Sequence, residues 1–446
     1  TTNSAMNLGA VNLSLNGTVK SGSGTITIAS VSGAAYKLSL QDNTSNSRGL
    51  VVVNGTVNIG QIETFAQNYA VSLLGSNVAV TSASTLNNTG ITTFGDGGTG
   101  VDTLTFTGGL TAKAGPIILN STLATVNNLL DIGAVTLAGN SSLQSGSGTI
   151  TVGSITDGAN SYILSLQSGT GNQGSVVFSG DVTISAINTA AANYAVSFQN
   201  NTTVDSAANF TNLAGVSFGR NASSLTTFTN GVTATAGTGT FVLAGTLKTA
   251  GQPINIGNSG ASINLVDSTI IDSGNSSSGT ISINSLISTN GRSLTLSSGS
   301  TVGGTISVNS IDSTAGGLTI ANAGGQVTFA GNVGAATGSG LITITNSQQG
   351  VEFQGQLFGS NVNIVNTAAS KTIKFGGNLT LTGSILTTQQ NYNVDISGAT
   401  NVIGAANNFN NLGNVNINSA SGSTTFTNGF GASFPAAINI QGTIVA

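Results

Sequence analysis

The chain has 446 residues, of which 9 are Lys or Arg and 13 are Asp or Glu, so that only 5% are charged and the net charge is −4. An ordinary soluble domain has about 25% charged residues. The low content of basic residues argues against nucleic acid as a partner. No apolar run reaches the ~18 residues of a membrane-spanning segment. Cys and His are absent from the sequence, which removes disulfides, Cys-based metal sites and most nucleophilic triads.

The remaining composition indicates strands joined by tight turns. There are 63 Gly and 3 Pro, and most other residues are Thr, Ser, Asn, Ala, Val, Ile and Leu. Beta-branched residues favour strands, and Gly, Asn and Ser favour turns. Apolar residues occur along the whole length, so the chain can bury a core and is not expected to be disordered.

Long repeats follow one another along the chain. The first copy contains SGSGTITI at 21–28, VVVNGTVNI at 51–59, NYAVS at 68–72 and TFTGGLTAKAG at 105–115. The second copy has the related segments at 145–152, 176–184, 193–197 and 227–237, and the third has them at 277–283, 373–381, 391–396 and 425–430. We predict one continuous solenoid made of three super-repeats, 1–124, 125–249 and 250–446.

A smaller unit lies inside the third super-repeat. The segments VTFAGNV, VEFQGQL and IKFGGNL begin at positions 327, 351 and 373, so the unit recurs at intervals of 24 and 22. The third copy is longer than the others by 67 or 68 positions between its first and third landmarks, which equals about three such units. Whole units can be inserted without breaking a pattern only if each unit contacts its neighbours alone, as in a solenoid.

The fold that these units predict is an all-β, right-handed parallel β-helix (β-solenoid) with about 20–25 residues per coil. Each unit has short alternating stretches such as T-I-T-I and V-T-F between Gly, Asn and Ser turns, which indicates strands. Parallel crossovers are almost always right-handed, and neighbouring strands lie ~4.8 Å apart. Phe329, Phe353 and Phe375 recur once per unit, so they are expected to form an internal stack.

These units closely resemble the repeat regions of giant bacterial surface proteins. The patterns V-x-F-x-G-x-V, G-S-G-T-I-T-[IV] and T-F-T-x-G are similar to those of autotransporter and filamentous-haemagglutinin-like passengers, including β-strand-repeat adhesins. The resemblance extends over essentially the whole chain. It implies an extracellular, cell-surface protein with a structural or adhesive role, whose partners include host or neighbouring-cell glycans or proteins.

An enzymatic function is not expected. The acidic residues are scattered from Asp42 to Asp395, whereas polysaccharide-active β-helix enzymes need clustered carboxylates for acid–base chemistry. Such an enzyme is kept as a minor alternative. No cofactor is expected.

One segment resembles a calcium-binding nonapeptide. Residues 97–105, GGTGVDTLT, fit the pattern G-G-x-G-x-D-x-U-x, and Asp96 and Asp102 supply carboxylates. Calcium in such repeats is held between consecutive copies, and this chain has a single copy. The favoured interpretation is a Gly-rich turn that leads into a strand at 103–107, and calcium is the weaker alternative.

Two further patterns have a structural and a functional interpretation. Thr-x-Thr strands, such as Thr25 with Thr27, are similar to those of ice-binding solenoids, but outward positions mix Thr with Ser, Asn and Lys, so ordinary solvated faces are favoured. The pairs 68–69, 193–194 and 391–392 are all Asn-Tyr. They predict either a structural turn, which is favoured, or a surface aromatic row for glycans.

The two ends of the sequence have the same repeat phase. Residues 1–13 align with 125–137, and residues 438–446 align with 117–125. We therefore expect either a longer tandem array or identical chains that stack end to end. Because such a contact is heterologous, it would give an open filament or sheath.

Overall fold

The structure, a computed structural model, describes residues 3–44, 46–98, 101–169, 171 and 173–446, without the side chains of 418–421. Within these ranges the chain is all-β, contains no helix, and its strands pair in parallel. The strands stack as a β-solenoid of about 20 turns, with coils ~22 residues apart. The predicted parallel β-solenoid is confirmed. The described residues form two compact units, Thr1–Ala214 and Gly215–Ala446.

The first unit contains short strands, most of three or four residues, which alternate with turns. Its strands are β1 Met6–Asn12, β2 Gly17–Val19, β3 Ile26–Leu40, β4 Val51–Val53, β5 Val57–Thr64, β6 Val71–Leu73, β7 Asn77–Val80, β8 Ser84–Leu86, β9 Thr92–Phe94, β10 Thr103–Phe106, β11 Leu110–Ala112, β12 Ile117–Leu119, β13 Thr122–Thr125, β14 Leu130–Ile132, β15 Val135–Leu137, β16 Ser141–Gln144, β17 Thr149–Val152, β18 Ile155–Thr156, β19 Ile163–Leu166, β20 Ser175–Phe178, β21 Val182–Ile184, β22 Ala186–Thr189, β23 Ala195–Phe198, β24 Thr202–Val204 and β25 Ala208–Asn209.

The second unit has the same construction with a few longer, bent strands. Its strands are β26 Val216–Phe218, β27 Leu225–Phe228, β28 Val232–Ala234, β29 Phe241–Thr249, β30 Ile254–Ile256, β31 Ser262–Asp272, β32 Ile281–Ser288, β33 Leu294–Ser297, β34 Ile306–Ile311, β35 Leu318–Asn322, β36 Val327–Phe329, β37 Ile342–Ile344, β38 Val351–Phe353, β39 Leu357–Gly359, β40 Val362–Ile364, β41 Thr372–Phe375, β42 Leu379–Leu381, β43 Ile385–Thr387, β44 Asn393–Ile396, β45 Thr400–Ile403, β46 Asn407–Asn408, β47 Val415–Phe426, β48 Phe430–Gly431 and β49 Ile438–Val445.

Three parallel rows of strands form the walls of the first unit. Row A is β3, β4, β6, β9, β12, β15, β18, β21 and β24; row B is β3, β5, β7, β10, β13, β16, β19, β22 and β25; row C is β3, β5, β8, β11, β14, β17, β20 and β23. The long bent strands β3 and β5 contribute to more than one row. Each row is continuous because every strand pairs with a strand of the coil before and of the coil after.

The core lies between the rows and follows from the period-two alternation of the strands. In β4 and β6 the first and third side chains are fully buried and the middle one is half-buried at the surface. Stacked coils therefore place Val, Ile, Leu and Phe in continuous inward columns, for example Val51 above Val71. Burial of a side chain of this kind contributes about 1.5–3 kcal/mol.

The second unit contains a row, hereafter row E, in which strand follows strand without a gap. Row E is β28, β30, β32, β34, β36, β38, β41, β44, β47 and β49. The rings of Phe329, Phe353 and Phe375 stack inside it, with centroids 4.9 and 5.6 Å apart and nearly parallel planes. The predicted internal stack is confirmed.

The extra segment of the third super-repeat is three whole coils of row E. Ile306 pairs with Val327, Val327 with Val351, and Val351 with Ile373. Three steps along the row therefore connect Ile306 to Ile373, which agrees with the length of the extra segment counted in the sequence.

The super-repeat is not a whole number of coils. Ile26 of the SGSGTITI segment lies in row A, where it pairs with Val51. Its counterpart Ile150, in the SGSGTITV segment, lies in row C, between Leu130 and Val176. The second copy is therefore displaced by one wall of the coil relative to the first, a shift that sequence offsets alone do not reveal.

Candidate functional site

The carboxylate of Asp102 is part of a hydrogen-bonded loop. Asp102 is buried, and its Oδ2 accepts hydrogen bonds from the backbone N–H groups of Asp96 (2.8 Å) and Gly97 (3.3 Å). Asp96 is exposed, and its Oδ1 accepts the N–H of Gly98 (2.9 Å). Thr99 and Gly100 of the calcium-like segment lie outside the described residues. The strand predicted to follow the Gly-rich segment is confirmed: β10 begins at Thr103, directly after this loop, and ends at Phe106.

The related loop in the next repeat uses a serine in place of the aspartate. Ser224, also buried, accepts the backbone N–H groups of Arg220 (3.1 Å) and Asn221 (3.3 Å) on its Oγ. A hydroxyl and a carboxylate therefore perform the same task of holding a turn that precedes a strand. Within the described ranges, no group of three or more Asp or Glu side chains is arranged to hold a metal ion. That Asp96 and Asp102 hold no metal ion remains a prediction.

The three repeated tyrosines are structural. Tyr69, Tyr194 and Tyr392 are at most 1% exposed, so the alternative of a surface aromatic row for glycans is wrong. The hydroxyl of Tyr69 donates to the carbonyl oxygen of Leu40 in the preceding coil (2.7 Å) and accepts the N–H of Phe65 (2.8 Å). Tyrosine hydroxyls buried in a core normally need such partners. The favoured structural turn is confirmed.

The same hydrogen bonds occur at the other two tyrosines. The hydroxyl of Tyr194 donates to Leu166 O (3.1 Å) and accepts Ala190 N–H (2.8 Å). For Tyr392 the partners are Ile364 O (3.4 Å) and Thr388 N–H (3.0 Å).

An asparagine of the following coil completes each tyrosine turn. The side-chain Nδ2 of Asn88, Asn212 and Asn411 donates to the carbonyl oxygen of Tyr69, Tyr194 and Tyr392, at 3.2, 3.0 and 2.9 Å. We call each Tyr–Asn pair a tyrosine clamp. A clamp connects three consecutive coils, because the hydroxyl reaches backwards and the carbonyl is held from the coil ahead.

Burial also changes the acidity of the clamp tyrosines. Removal from water raises the pKa of Tyr69 and of Tyr194 to about 12. The pKa of Tyr392 is raised for the same reason. The neutral phenol is the form that the core accommodates, since an anion there would be poorly solvated.

Hydrogen bonds from buried glutamine side chains hold the SGSG turns. Gln167 is fully buried with a left-handed backbone (φ 52°); its Oε1 accepts the N–H of Ser145 (2.9 Å), and its Nε2 donates to Ser145 Oγ (2.9 Å). Gln41 accepts the N–H of Ser21 in the same way (3.0 Å). These contacts satisfy turn backbone groups that would otherwise be buried without a partner. Sequence reasoning found neither these glutamines nor the clamp asparagines.

The outward side chains of row A in the first unit are mixed. Thr136, Thr156, Thr183 and Thr203 stack in register on four successive coils. Earlier in the same column Val52 and Ile118 interrupt the threonines. The column therefore follows the mixed composition expected of an ordinary solvated face.

The last four charged residues of the sequence are concentrated on row E. After Asp312 the sequence has only four charged residues, Glu352, Lys371, Lys374 and Asp395. Glu352, Lys374 and Asp395 occupy the same outward position on consecutive strands β38, β41 and β44. Lys371 lies in the turn immediately before β41. We call these four residues the charge cluster.

The two lysines of the charge cluster differ in whether they have a carboxylate partner among the described residues. Lys374 Nζ lies 2.9 Å from Glu352 Oε1, and their side chains are 42% and 26% exposed. This hydrogen bond lowers the pKa of the Glu352 carboxyl and raises the pKa of Lys374. Among the ion pairs found in the described parts of the chain, none involves Lys371.

A shallow depression adjoins the charge cluster on the outer surface of row E. It is lined by Gln326, Gln349, Val351, Glu352, Ser370, Lys371, Thr372 and Lys374. Its lining is mostly amide, hydroxyl, ammonium and carboxylate groups, which can donate and accept hydrogen bonds in several directions. The depression and the charge cluster form the candidate site.

No protein-family model, no curated protein and no solved structure matches the chain. In the portion of the chain that the structure describes, no helix has the length and apolar character needed to cross a membrane.

Proposed function

We propose that the chain is a non-enzymatic structural and adhesive segment of a secreted bacterial cell-surface fibre. The observation that supports this proposal most directly is the in-register pairing of each coil with the next. In row A of the first unit, nine strands follow one another from Ile26 to Thr202. At ~4.8 Å per step, such a row adds roughly 40 Å along its axis. A segment of this kind separates and presents surfaces.

The internal contacts support a mechanical role. Each tyrosine clamp connects three coils, and the buried glutamines connect a turn to the coil ahead. Interactions that cross coils resist the separation of neighbouring coils. In a solenoid, stability is approximately a sum of unit and neighbour terms, and such contacts add to the neighbour terms.

The outer surface supports an adhesive role. Row E presents Thr, Asn, Ser, Glu, Lys and Asp side chains outward on consecutive strands, as in the series Thr328, Glu352, Lys374 and Asp395. A hydrated surface with many hydrogen-bonding groups and little net charge suits polar partners such as glycans. The resemblance to bacterial surface repeats points to the same extracellular setting.

A surface-display experiment tests this proposal. The chain is fused to an outer-membrane carrier in a non-adherent bacterium, and the bacteria retained on glycan-coated surfaces and on epithelial cells are counted. We expect severalfold greater retention than with the carrier alone. Retention equal to that of the carrier, with the chain folded and exposed to antibody, would overturn the adhesive role.

A further inference from the structure

We infer that the charge cluster and the adjoining depression on row E bind an acidic saccharide. This inference rests on the proposed adhesive function and assigns that function a place and a ligand class. It begins from the distribution of charge. The chain has 9 basic and 13 acidic side chains in 446 residues. Three of its last four charged residues share one outward column on consecutive strands, and the fourth, Lys371, lies in the turn immediately before β41.

Lys371 supplies the charge that selects an anion. Lys374 is already neutralised by Glu352 at 2.9 Å, and Asp395 follows it in register. Lys371 is half-buried and lies at the edge of the depression, with no carboxylate partner within the described residues. A lysine ammonium acts as a compact point charge with three donors. A carboxylate or sulfate group in the depression would compensate it.

The other groups of the depression suit a polyhydroxylated ligand. Gln326 and Gln349 offer amide donors and acceptors, and Ser370 and Thr372 offer hydroxyl groups. No aromatic ring is among the lining residues, so contact would depend on hydrogen bonds rather than on ring stacking. Successive coils repeat every ~4.8 Å, close to the length of one hexose unit, so neighbouring sugars can meet equivalent positions on neighbouring strands.

A purely structural role for the charge cluster makes a different prediction. Glu352 and Lys374 stack on strands whose inner sides carry near-identical Val-Phe and Ile-Phe pairs, so their ion pair could serve only to fix the register of three similar coils. In that case Lys374→Gln would lower stability and Lys371→Gln would change nothing. If the charge cluster instead binds a ligand, Lys371→Gln must weaken that binding.

The test is calorimetric titration of the full chain with defined oligosaccharides of equal length. The probes are oligogalacturonate, its methyl-esterified neutral form, and a heparin-derived oligosaccharide. Oligogalacturonate carries carboxylates alone, whereas the heparin fragment also carries sulfates. Comparison of the two probes therefore shows whether carboxylates suffice or sulfates are required. We expect binding of at least one acidic probe, weakening with added salt, and none of the neutral ester.

Two variants locate the binding site. Lys371→Gln should weaken acidic-probe binding at least about fivefold, whereas the matched control Lys248→Gln, on strand β29 in another row, should not. Glu352→Gln should strengthen binding, because it frees the Lys374 ammonium from its carboxylate. Circular dichroism of each variant checks that the fold is intact.

Several outcomes would overturn the inference. These are no binding of either acidic probe, equal binding of the neutral ester, or equal losses in Lys371→Gln and Lys248→Gln. The display experiment separates failure of the site from failure of the proposed function. If displayed wild-type chain is adhesive and Lys371→Gln is equally adhesive, the site is wrong and the adhesive role survives.

Discussion

The hydroxyl of Tyr69 donates a hydrogen bond of 2.7 Å to the carbonyl oxygen of Leu40, 29 residues earlier and one coil behind. Asn88, one coil ahead, donates to the carbonyl oxygen of Tyr69 itself. The tyrosine is thus fixed at both its side chain and its backbone by different coils. Since equivalent contacts occur at Tyr194 and Tyr392, the clamp is a recurring way of joining coils in this chain.

Removal of one clamp hydroxyl should destabilise the chain measurably. In Tyr194→Phe the carbonyl of Leu166 and the N–H of Ala190 lose their partner. A buried polar group left unpaired costs about 1–3 kcal/mol. We expect a lower urea midpoint and faster hydrogen exchange at Ala190. The matched control is Tyr162→Phe, which removes the hydroxyl of a half-buried tyrosine and should leave the midpoint nearly unchanged.

Stability should fall in alkaline solution. The pKa of Tyr69 and of Tyr194 is raised from 10.0 to about 12, so the native state holds protons that the unfolded chain releases. This contribution is fully present below about pH 10, declines between about 10 and 12, and is lost as the pH rises through the native pKa. Circular dichroism and phenolate absorbance, followed together through this range, provide the measurement.

The control for the alkaline experiment is a chain in which all three clamp tyrosines are phenylalanine. This variant should start less stable but should lose less stability between about pH 10 and 12. Equal pH sensitivity of the two proteins would show that the clamps are not the groups responsible.

Asp102 should act as a turn-holding residue without calcium. In Asp102→Ala the N–H groups of Asp96 and Gly97 lose their acceptor, and we expect a lower melting temperature, equivalent to about 1–3 kcal/mol. Asp102→Ser should retain part of that stability, since Ser224 performs this role in the related loop. A chelator should leave the melting temperature of the wild-type chain unchanged. A drop of several degrees would instead favour the calcium interpretation.

Features that repeat once per coil were predictable from the sequence. The inward positions of Val351 and Phe353, the Phe stack and the coil length all follow from alternation and spacing. These signals are strong because every coil must bury the same side of each strand, and a one-residue slip would expose the core. The strand that follows Asp102 was predictable for a related reason, since alternating residues come directly after a Gly-rich segment.

Features that depend on which coils become neighbours could not be predicted. Coil lengths vary: Ile117 pairs with Val135 and Ile155 pairs with Val182, so the second of these coils is half as long again as the first. The number of coils between two positions therefore cannot be obtained from their sequence offset. For this reason the sequence did not reveal that Ile150 lies in a different wall from Ile26. The clamp asparagines had a detectable signal, because one follows each tyrosine at an almost constant distance in the sequence. Their partner, however, is a backbone carbonyl, which leaves no pattern.

The charge cluster was missed for a different reason. Glu352 and Lys374 are separated by one whole coil of sequence, and Asp395 follows one coil later. In the linear sequence these are isolated charges. Only the register of β38, β41 and β44 brings them to one outward column.

Whole coils should be removable from row E. Deletion of residues 306–372 joins Thr305 to Ile373 and removes three coil steps. Ile281, which pairs with Ile306, would then face Ile373, so apolar side chains still point inward. The shortened chain should fold with an unchanged β-type circular dichroism spectrum per residue, because coils interact only with their neighbours.

The matched control removes part of one coil. Deletion of residues 306–317 joins Thr305 to Leu318, which belongs to a different row from Ile306 and pairs with Leu294 and Ile342. Leu318 is buried like Ile306, so inward and outward positions stay in phase. The strands that follow would, however, move to a different wall and meet neighbours whose turns and strand lengths do not match theirs. We expect aggregation or loss of the cooperative melting transition for this variant. If both deletions were tolerated equally, nearest-neighbour stacking of whole coils would not be what stabilises the second unit. If neither chain folded, the three coils would have to make contacts beyond their immediate neighbours. Size-exclusion chromatography and thermal melting of the two proteins at equal concentration distinguish these results.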